Sequence, residues 1–385
     1  MILFLFADHK YYVPTFSVLF SEILRRSNLG MQLVDVNTTS IDKIRLNIES
    51  SSVIVFDISI FNMVGIGDLP PYFFSGNRKG VNHYYDIWYY VEKKDTPVFL
   101  LASVLDLHYA NFRLERQIYL NILRRSSCIV WPYGDQPANL HAVPEKYHSV
   151  FKSYSLEKVN TSQIWKEIVS IIPISIDFPH SVSKSEIIIK NNKKYWDIVV
   201  PGAAYKTRVI AKESVLKEGL KLAPYKFCYR WFANVPYYIY KKIASKEKST
   251  GFHQQRSFQV QNFLLRHSKT SFACGSELKY FVRKFLEVPA NNSVLIAYPS
   301  NSMSNYGFID GVNYISCLPE EAGNKAREVI SNKIMQENIK INARNLLTRL
   351  HTSAVRVDQL MNVIQAFQKG QLKGARFVSG SFEIF

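Results

Sequence analysis

The chain has 385 residues, 47% of them apolar and 14% aromatic, with 48 Lys plus Arg against 31 Asp plus Glu and a formal charge of +17. That length suits roughly two domains, and the apolar share excludes a disordered polymer. Four widely spaced cysteines with no CxxC pair exclude a disulfide framework and a thiolate zinc site, and they imply a reducing cytoplasm.

The chain opens on an apolar run, Ile2–Phe6, read as a first buried strand and not as a signal peptide, because no basic residue precedes it. Helical spacing follows over Thr15–Arg26. Further strands are expected at Met31–Val36, Val53–Ile58, Pro97–Val104 and Ser127–Trp131, with a helix at Phe112–Arg125. Residues 61–95 are rich in Gly, Pro, Tyr and Asn and are read as a long excursion. The rhythm restarts near residue 195: a strand at Trp196–Val200, a helix at Val209–Leu222, a strand at Thr270–Cys274, a helix at Leu278–Leu286 and a strand at Ser293–Ala297. Helices are expected to fill 320–370. Short apolar strands alternating with helices indicate parallel sheets covered on both faces. The expected fold class is therefore α/β, with two doubly wound, Rossmann-like domains facing a cleft. The domains are placed at 1–180 and 190–350, followed by a C-terminal helical segment at 351–385 that packs back on the first domain. No stretch reaches the ~18 apolar residues of a spanning helix.

Charge separates the two halves. Residues 1–190 carry 19 basic and 18 acidic side chains, whereas residues 191–385 carry 29 and 13. A half with net +16 suits an anionic partner such as nucleotide phosphate, nucleic acid or acidic lipid, or else a solvated surface.

Four motifs lie in that half. In WDIVVPGAAYKTR, residues 196–208, a strand ends at Pro201–Gly202 before a helix. Glycine permits close approach of a ligand, and helix amides with Lys206 and Arg208 favour phosphate, although a plain strand-to-helix turn with solvated basic residues reads the same way. In Phe281–Pro299, Arg283, Lys284 and Glu287 share a helix; Arg283 and Glu287 are four apart, which suits either a surface ion pair or a nucleotide site. In GFIDGVN, Gly307 and Gly311 with Asp310 and Asn313 suit a ligand loop or a plain turn. In HTSAVRVDQ, His351 and Arg356 are read as a helix surface with one packing histidine.

Taken together, strand–PGAxYxxR, KFLEVPA at Lys284–Ala290, Gly307–Asn313 and HTxxxR resemble the C-terminal half of bacterial group 1-like glycosyltransferases with the GT-B fold. The likeness is to the spore-protein-like branch, which acts in surface polysaccharide and lipopolysaccharide assembly, and it covers about residues 195–360. The resemblance implies a nucleotide-sugar donor held by the second domain. Glu287 would hold the donor ribose, and Arg208, Arg283 and Lys284 would meet its phosphates. Many retaining members carry a second glutamate eight positions earlier. Here that position is Lys279, and the nearest acid is Glu277, so the stereochemical outcome stays open.

Glycosyl transfer also needs a base for the acceptor hydroxyl. Asp106 and His108, in SVLDLHY after the fourth strand, are the first candidates, and Asp8 and His9 are the rivals. No DxD and no metal-ligating cluster is evident, so no metal or cofactor is expected and basic side chains would neutralise the leaving phosphate. The expected function is metal-independent transfer of a sugar from a nucleotide-sugar to a bacterial surface glycan or lipid-linked acceptor. A silent nucleotide-sugar-binding module and a basic nucleic-acid-binding protein are the alternatives, although no nucleic-acid signature is present. Residues 225–248 interleave tyrosines, Trp231 and Phe232 with lysines. They are read first as an aromatic core helix ending in a polar loop, and otherwise as a means of peripheral attachment to the anionic inner face of the cytoplasmic membrane or as a surface for single-stranded nucleic acid.

Overall fold

A computed structural model describes residues 1–6, 19, 22–23, 25, 30–57, 60, 81–101, 121–131, 174–189, 192–202, 204–244, 246–275, 281–300 and 302–385. Two units emerge: Met1–Phe178 with Val363–Arg376 and Ile384–Phe385, and Pro179–Asn362 with Phe377–Glu383. The fold is α/β, with two sheets whose strands are parallel except at the C-terminal hairpin, residues 375–384.

The first sheet contains β1 (Ile2–Phe6), β2 (Met31–Asp35), β3 (Val53–Asp57), β4 (Val98–Leu101), β5 (Cys128–Trp131) and β6 (Ser175–Asp177), with β11 (Ala375–Val378) and β12 (Ser381–Ile384) at its end. Its order is β12-β11-β6-β5-β4-β3-β1-β2. The pairs from β2 through to β6 are parallel. β3, β4 and β5 are buried at every position, which is why they read as unbroken apolar runs. Helix α1 (Ile41–Ser50) buries Ile44 and Ile48, one turn apart.

Two expectations about this part of the chain are corrected. The supposed excursion at 61–95 contains helix α2 (Val81–Lys93), a stretch free of Gly and Pro that buries Ile87, Trp88 and Val91 on one face. The segment 351–385 is not helical throughout. Its helix, Ser353–Gln368, ends before Gly370, which adopts φ +69°, and β11 and β12 follow, turning through Ser379 and Gly380.

In the second unit, β7 (Trp196–Val199), β8 (Ser268–Cys274), β9 (Val294–Tyr298) and β10 (Ile315–Ser316) lie in the order β10-β9-β8-β7, all parallel. Alternate side chains supply two cores. Ile198, Phe272 and Ile296 pack against α3 (Lys206–Lys217) and α8 (Ala322–Ser331). Val199, Ala273 and Leu295 pack against α6 (Lys246–Arg266), α7 (Lys284–Ala290) and α9 (Lys333–Leu350). Between α3 and α6 the chain runs through α4 (Tyr225–Tyr229), a π-helical turn at Arg230–Asn234 and α5 (Val235–Lys241). Where a helix was expected at Leu278–Leu286, the described helix is Lys284–Ala290. Pro289 removes a single amide, and the buried Phe285, Leu286 and Val288 hold the turn. Helix α10 (Ser353–Gln368) closes the α-helical series. Among the described residues no helix is long and apolar enough to cross a membrane. All four cysteines are buried and free.

Candidate functional site

The site forms where β7 ends. After Val200 and Pro201 the backbone turns through Gly202 at φ +105°, and α3 begins at Lys206. Gly202 is required twice over. Its φ is one that side-chain-bearing residues rarely adopt, and a Cβ there would stand 2.6 Å from a terminal nitrogen of Arg208 and 3.5 Å from Cε of Lys284. Two cationic side chains thus converge on one glycine. Arg208 is buried, and its guanidinium lies 5.0 Å from the centre of the Tyr205 ring. It sits in the first turn of α3, where the helix dipole disfavours a cation unless an anion is nearby. Burial, reinforced by Arg208, pulls the Lys284 ammonium below the usual lysine range, against the opposing pull of Glu287. Lys206 is exposed at the first position of α3.

Glu287 is also buried. Arg283 Nε lies 3.1 Å from its Oε1, and Gln261 donates to its Oε2 at 2.6 Å. Arg283 also donates to Glu186 at 2.7 Å. The i, i+4 pair is therefore an enclosed one and not a surface pair. Arg283 is paired with two carboxylates, and Glu287 also attracts Lys284, so three cationic side chains and Glu287 gather beside Gly202. Each Glu287 oxygen keeps acceptor capacity beyond these bonds.

Tyr225 completes the arrangement. The Gly202 amide donates to its hydroxyl, and burial with the neighbouring Tyr229 pushes that hydroxyl up to about 12, so it stays protonated. Its ring stacks on Tyr229 at 5.8 Å. Sequence reading placed Tyr225 in an aromatic stretch and did not assign Gln261 or Glu186 at all.

The other expected residues lie elsewhere. In Gly307–Asn313, Asn313 is buried, accepts from Ile309 N at 2.8 Å and donates to Gly307 O at 2.9 Å. Asp310 is exposed and accepts from Ser316 N at 2.7 Å. Gly307 has φ +82°, and a Cβ there would meet Leu346 at 2.8 Å; Gly311 has φ +73°. These bonds shape the loop before β10, and none of them joins it to the Gly202 cluster. Asp106 and His108, with the rivals Asp8 and His9, lie outside the described residues, as do Glu277 and Lys279.

The HTxxxR motif is not a helix surface. His351 and Arg356 are both fully buried. Arg356 donates to Pro179 O at 3.0 Å, to Leu350 O at 2.7 Å and to Gln359 Oε1 at 2.6 Å, and its remaining arm meets His351 Nδ1 at 2.8 Å. His351 Nε2 then donates to Tyr306 O at 2.8 Å. Burial and the Arg356 charge push His351 down to about 3, so it is neutral. The motif fastens the start of α10.

A cavity of about 660 Å³ lined by Ile188, Phe258, Asn262 and Arg266 includes none of the cluster's residues, and its lining offers little charge. The convergent cations, not the cavity volume, mark the site. Among the described residues no group of His, Cys, Asp and Glu is arranged to hold a metal ion.

No protein-family model matches the chain, and no curated protein matches it in sequence. In structure it is similar to an alpha-glucosyltransferase in complex with UDP and a 13-mer DNA containing a HMU base, with 11% identity, a TM-score of 0.53 and coverage of 95% of this chain and 99% of that one. It is similar to Anabaena Alr3699/HepE in complex with UDP-glucose, with 9% identity, a TM-score of 0.51 and coverage of 95% and 99%. It is also similar to a glycosyltransferase from Rickettsia africae ESF-5, with 9% identity, a TM-score of 0.50 and coverage of 96% and 98%. At such identities the likeness is one of fold, and the fold is of the GT-B type, two Rossmann-like units in series.

Proposed function

We propose that the chain is a glycosyltransferase that moves a sugar from a nucleotide-sugar donor to an acceptor hydroxyl. The observation that carries this reading is the convergence of Arg208 and Lys284 on Gly202 at the start of α3, with Glu287 held alongside. A donor diphosphate would place its negative charge against these two cations, and Glu287 would accept from ribose hydroxyls. The nucleotides bound to the structural neighbours support the same class of donor.

In the reaction, the bond between the anomeric carbon and the diphosphate oxygen breaks and a bond to the acceptor oxygen forms. The acceptor's proton passes to a base, for which Asp106 and His108 are the first candidates. The nucleoside diphosphate leaves with the bonding electrons, and Arg208 and Lys284 stabilise its charge, so the chemistry proceeds with side-chain cations in the role a metal has elsewhere. The acceptor is a bacterial surface glycan or a lipid-linked sugar, as in polysaccharide or lipopolysaccharide assembly, on the resemblance of KFLEVPA and GFIDGVN to that group.

The test is release of nucleoside diphosphate from a panel of nucleotide-sugars with lipid-linked and glycan acceptors. Acceptor-dependent release that falls by ~10²–10⁴ in Asp106→Asn or His108→Ala supports the reading. Tight donor binding with no release on any acceptor would reassign the chain as a binding module.

A further inference from the structure

The segment expected to form an aromatic core does so only in part, through Tyr225 and Tyr229, which pack against the second unit's core. Between Tyr225 and Ala244 only Cys228 and Ala233 are buried. Both are small, so the bulky neighbours are left outside. Phe227, Trp231 and Phe232 are 59%, 51% and 58% exposed, and Tyr238, Ile239 and Ile243 are 61%, 63% and 81% exposed. They are carried by α4, the π-helical turn, α5 and the residues just after it. Exposed beside them are Lys226, Arg230, Lys241 and Lys242, and no acidic residue occurs from 225 to 244. Lys212 on α3 is pulled down by burial and by the nearby Lys226 charge, which extends the positive field to the next helix.

We infer that this face docks on an anionic lipid bilayer. Aromatic and aliphatic side chains enter the interfacial region, and flanking lysine and arginine heads meet lipid phosphates. Charge complementarity selects this occupant. A second copy of the chain would oppose two uniformly basic faces. Nucleic acid would use the aromatic rings but has no use for the two isoleucines, which are the most exposed apolar groups of the set. The lipid surface uses both. The inference stands on exposure and charge at α4 and α5 and is independent of the donor site.

The test is co-sedimentation of the full chain with vesicles of phosphatidylcholine alone and of phosphatidylcholine with phosphatidylglycerol. Binding is expected to the anionic vesicles, with little to the neutral ones, and to weaken as salt rises. The set Lys226→Glu, Arg230→Glu, Lys241→Glu and Lys242→Glu should bind at least ~100-fold more weakly, since each basic residue near an anionic leaflet contributes about fivefold. The set Phe227→Ala, Trp231→Ala and Phe232→Ala should also lose binding. A control set of equal charge change, Lys217→Glu, Lys333→Glu, Lys369→Glu and Lys373→Glu, should keep most of it. Should the aromatic set fail to fold, the charge set, which leaves the apolar residues intact, carries the test. Absence of binding to anionic vesicles, equal binding to neutral ones, or equal loss in the control set would overturn the inference. Binding of an oligonucleotide without binding of vesicles would do the same.

Discussion

Arg208 and Arg356 are both buried in the second unit, and they are held in opposite ways. Arg356 directs its donors at two backbone carbonyls, a glutamine and a neutral histidine, all within 3.0 Å. Arg208 has Lys284 as its neighbour across Gly202, in the first turn of a helix. The first environment satisfies a guanidinium and fixes the fold. The second concentrates positive charge around a glycine that admits close approach. Burial of an arginine alone therefore says little about its role, and its neighbours' charge separates a fastening from an anion site.

The contrast can be broken first at Arg356. Arg356→Ala leaves several buried acceptors without a donor and should cost on the order of 3–5 kcal/mol of stability. Thermal or urea unfolding reads this directly. A variant as stable as the parent would mean that the arginine is not a fastening.

Arg208→Ala should do the reverse. Its melting temperature should stay within a few degrees of the parent, while nucleoside diphosphate affinity falls about 10–100-fold, the worth of a charge-assisted bond of ~1.5–3 kcal/mol. Gly202→Ala should act in the same direction by displacing the guanidinium. Calorimetry beside a melting curve distinguishes the two arginines.

Acid sharpens the comparison from the structural side. His351 and His180 are both pushed down to about 3, chiefly by burial, with Arg356 close to each. An unfolded chain takes up these protons near pH 6.5. Stability is therefore full above that pH and is lost as pH falls from 6.5 toward 3, by about 1–2 kcal/mol per histidine at pH 5. Melting curves from pH 7 to pH 5 check this, and a flat profile would contradict neutral, buried histidines.

The smallest expected effect is at Tyr225. Tyr225→Phe removes the hydroxyl that accepts from the Gly202 amide and leaves the ring stacked on Tyr229. Nucleoside diphosphate affinity should change only a few-fold, as befits a neutral hydrogen bond of ~0.5–1.5 kcal/mol. A change of 100-fold would place this tyrosine beside Arg208 in importance.

Strands were the most legible part of the sequence, because parallel strands buried on both faces read as continuous apolar runs, as at Val53–Asp57 and Val294–Tyr298. Helix α2 was obscured by the Gly- and Pro-rich stretch before it, and β11 and β12 by the long helical region they follow. In the site, Gly202, Arg208, Lys284 and Glu287 were legible because strand-end and helix spacing puts them at two turns. Their mutual approach was not, since β7 and α7 are more than 80 residues apart. Tyr225 and Gln261 carry no local pattern that marks them. HTxxxR misled because a polar motif reads as surface, whereas Arg356 is satisfied entirely from within.

The most direct test of the donor site is a calorimetric titration of nucleoside diphosphates into the parent chain, Arg208→Ala and Glu287→Ala. The parent should bind at least one nucleoside diphosphate. Arg208→Ala should bind it about 10–100-fold more weakly. Glu287→Ala should weaken binding by ~1–3 kcal/mol through the lost ribose contact. Equal affinity in all three proteins, or no binding to the parent, would contradict a donor site built on Gly202, Arg208, Lys284 and Glu287.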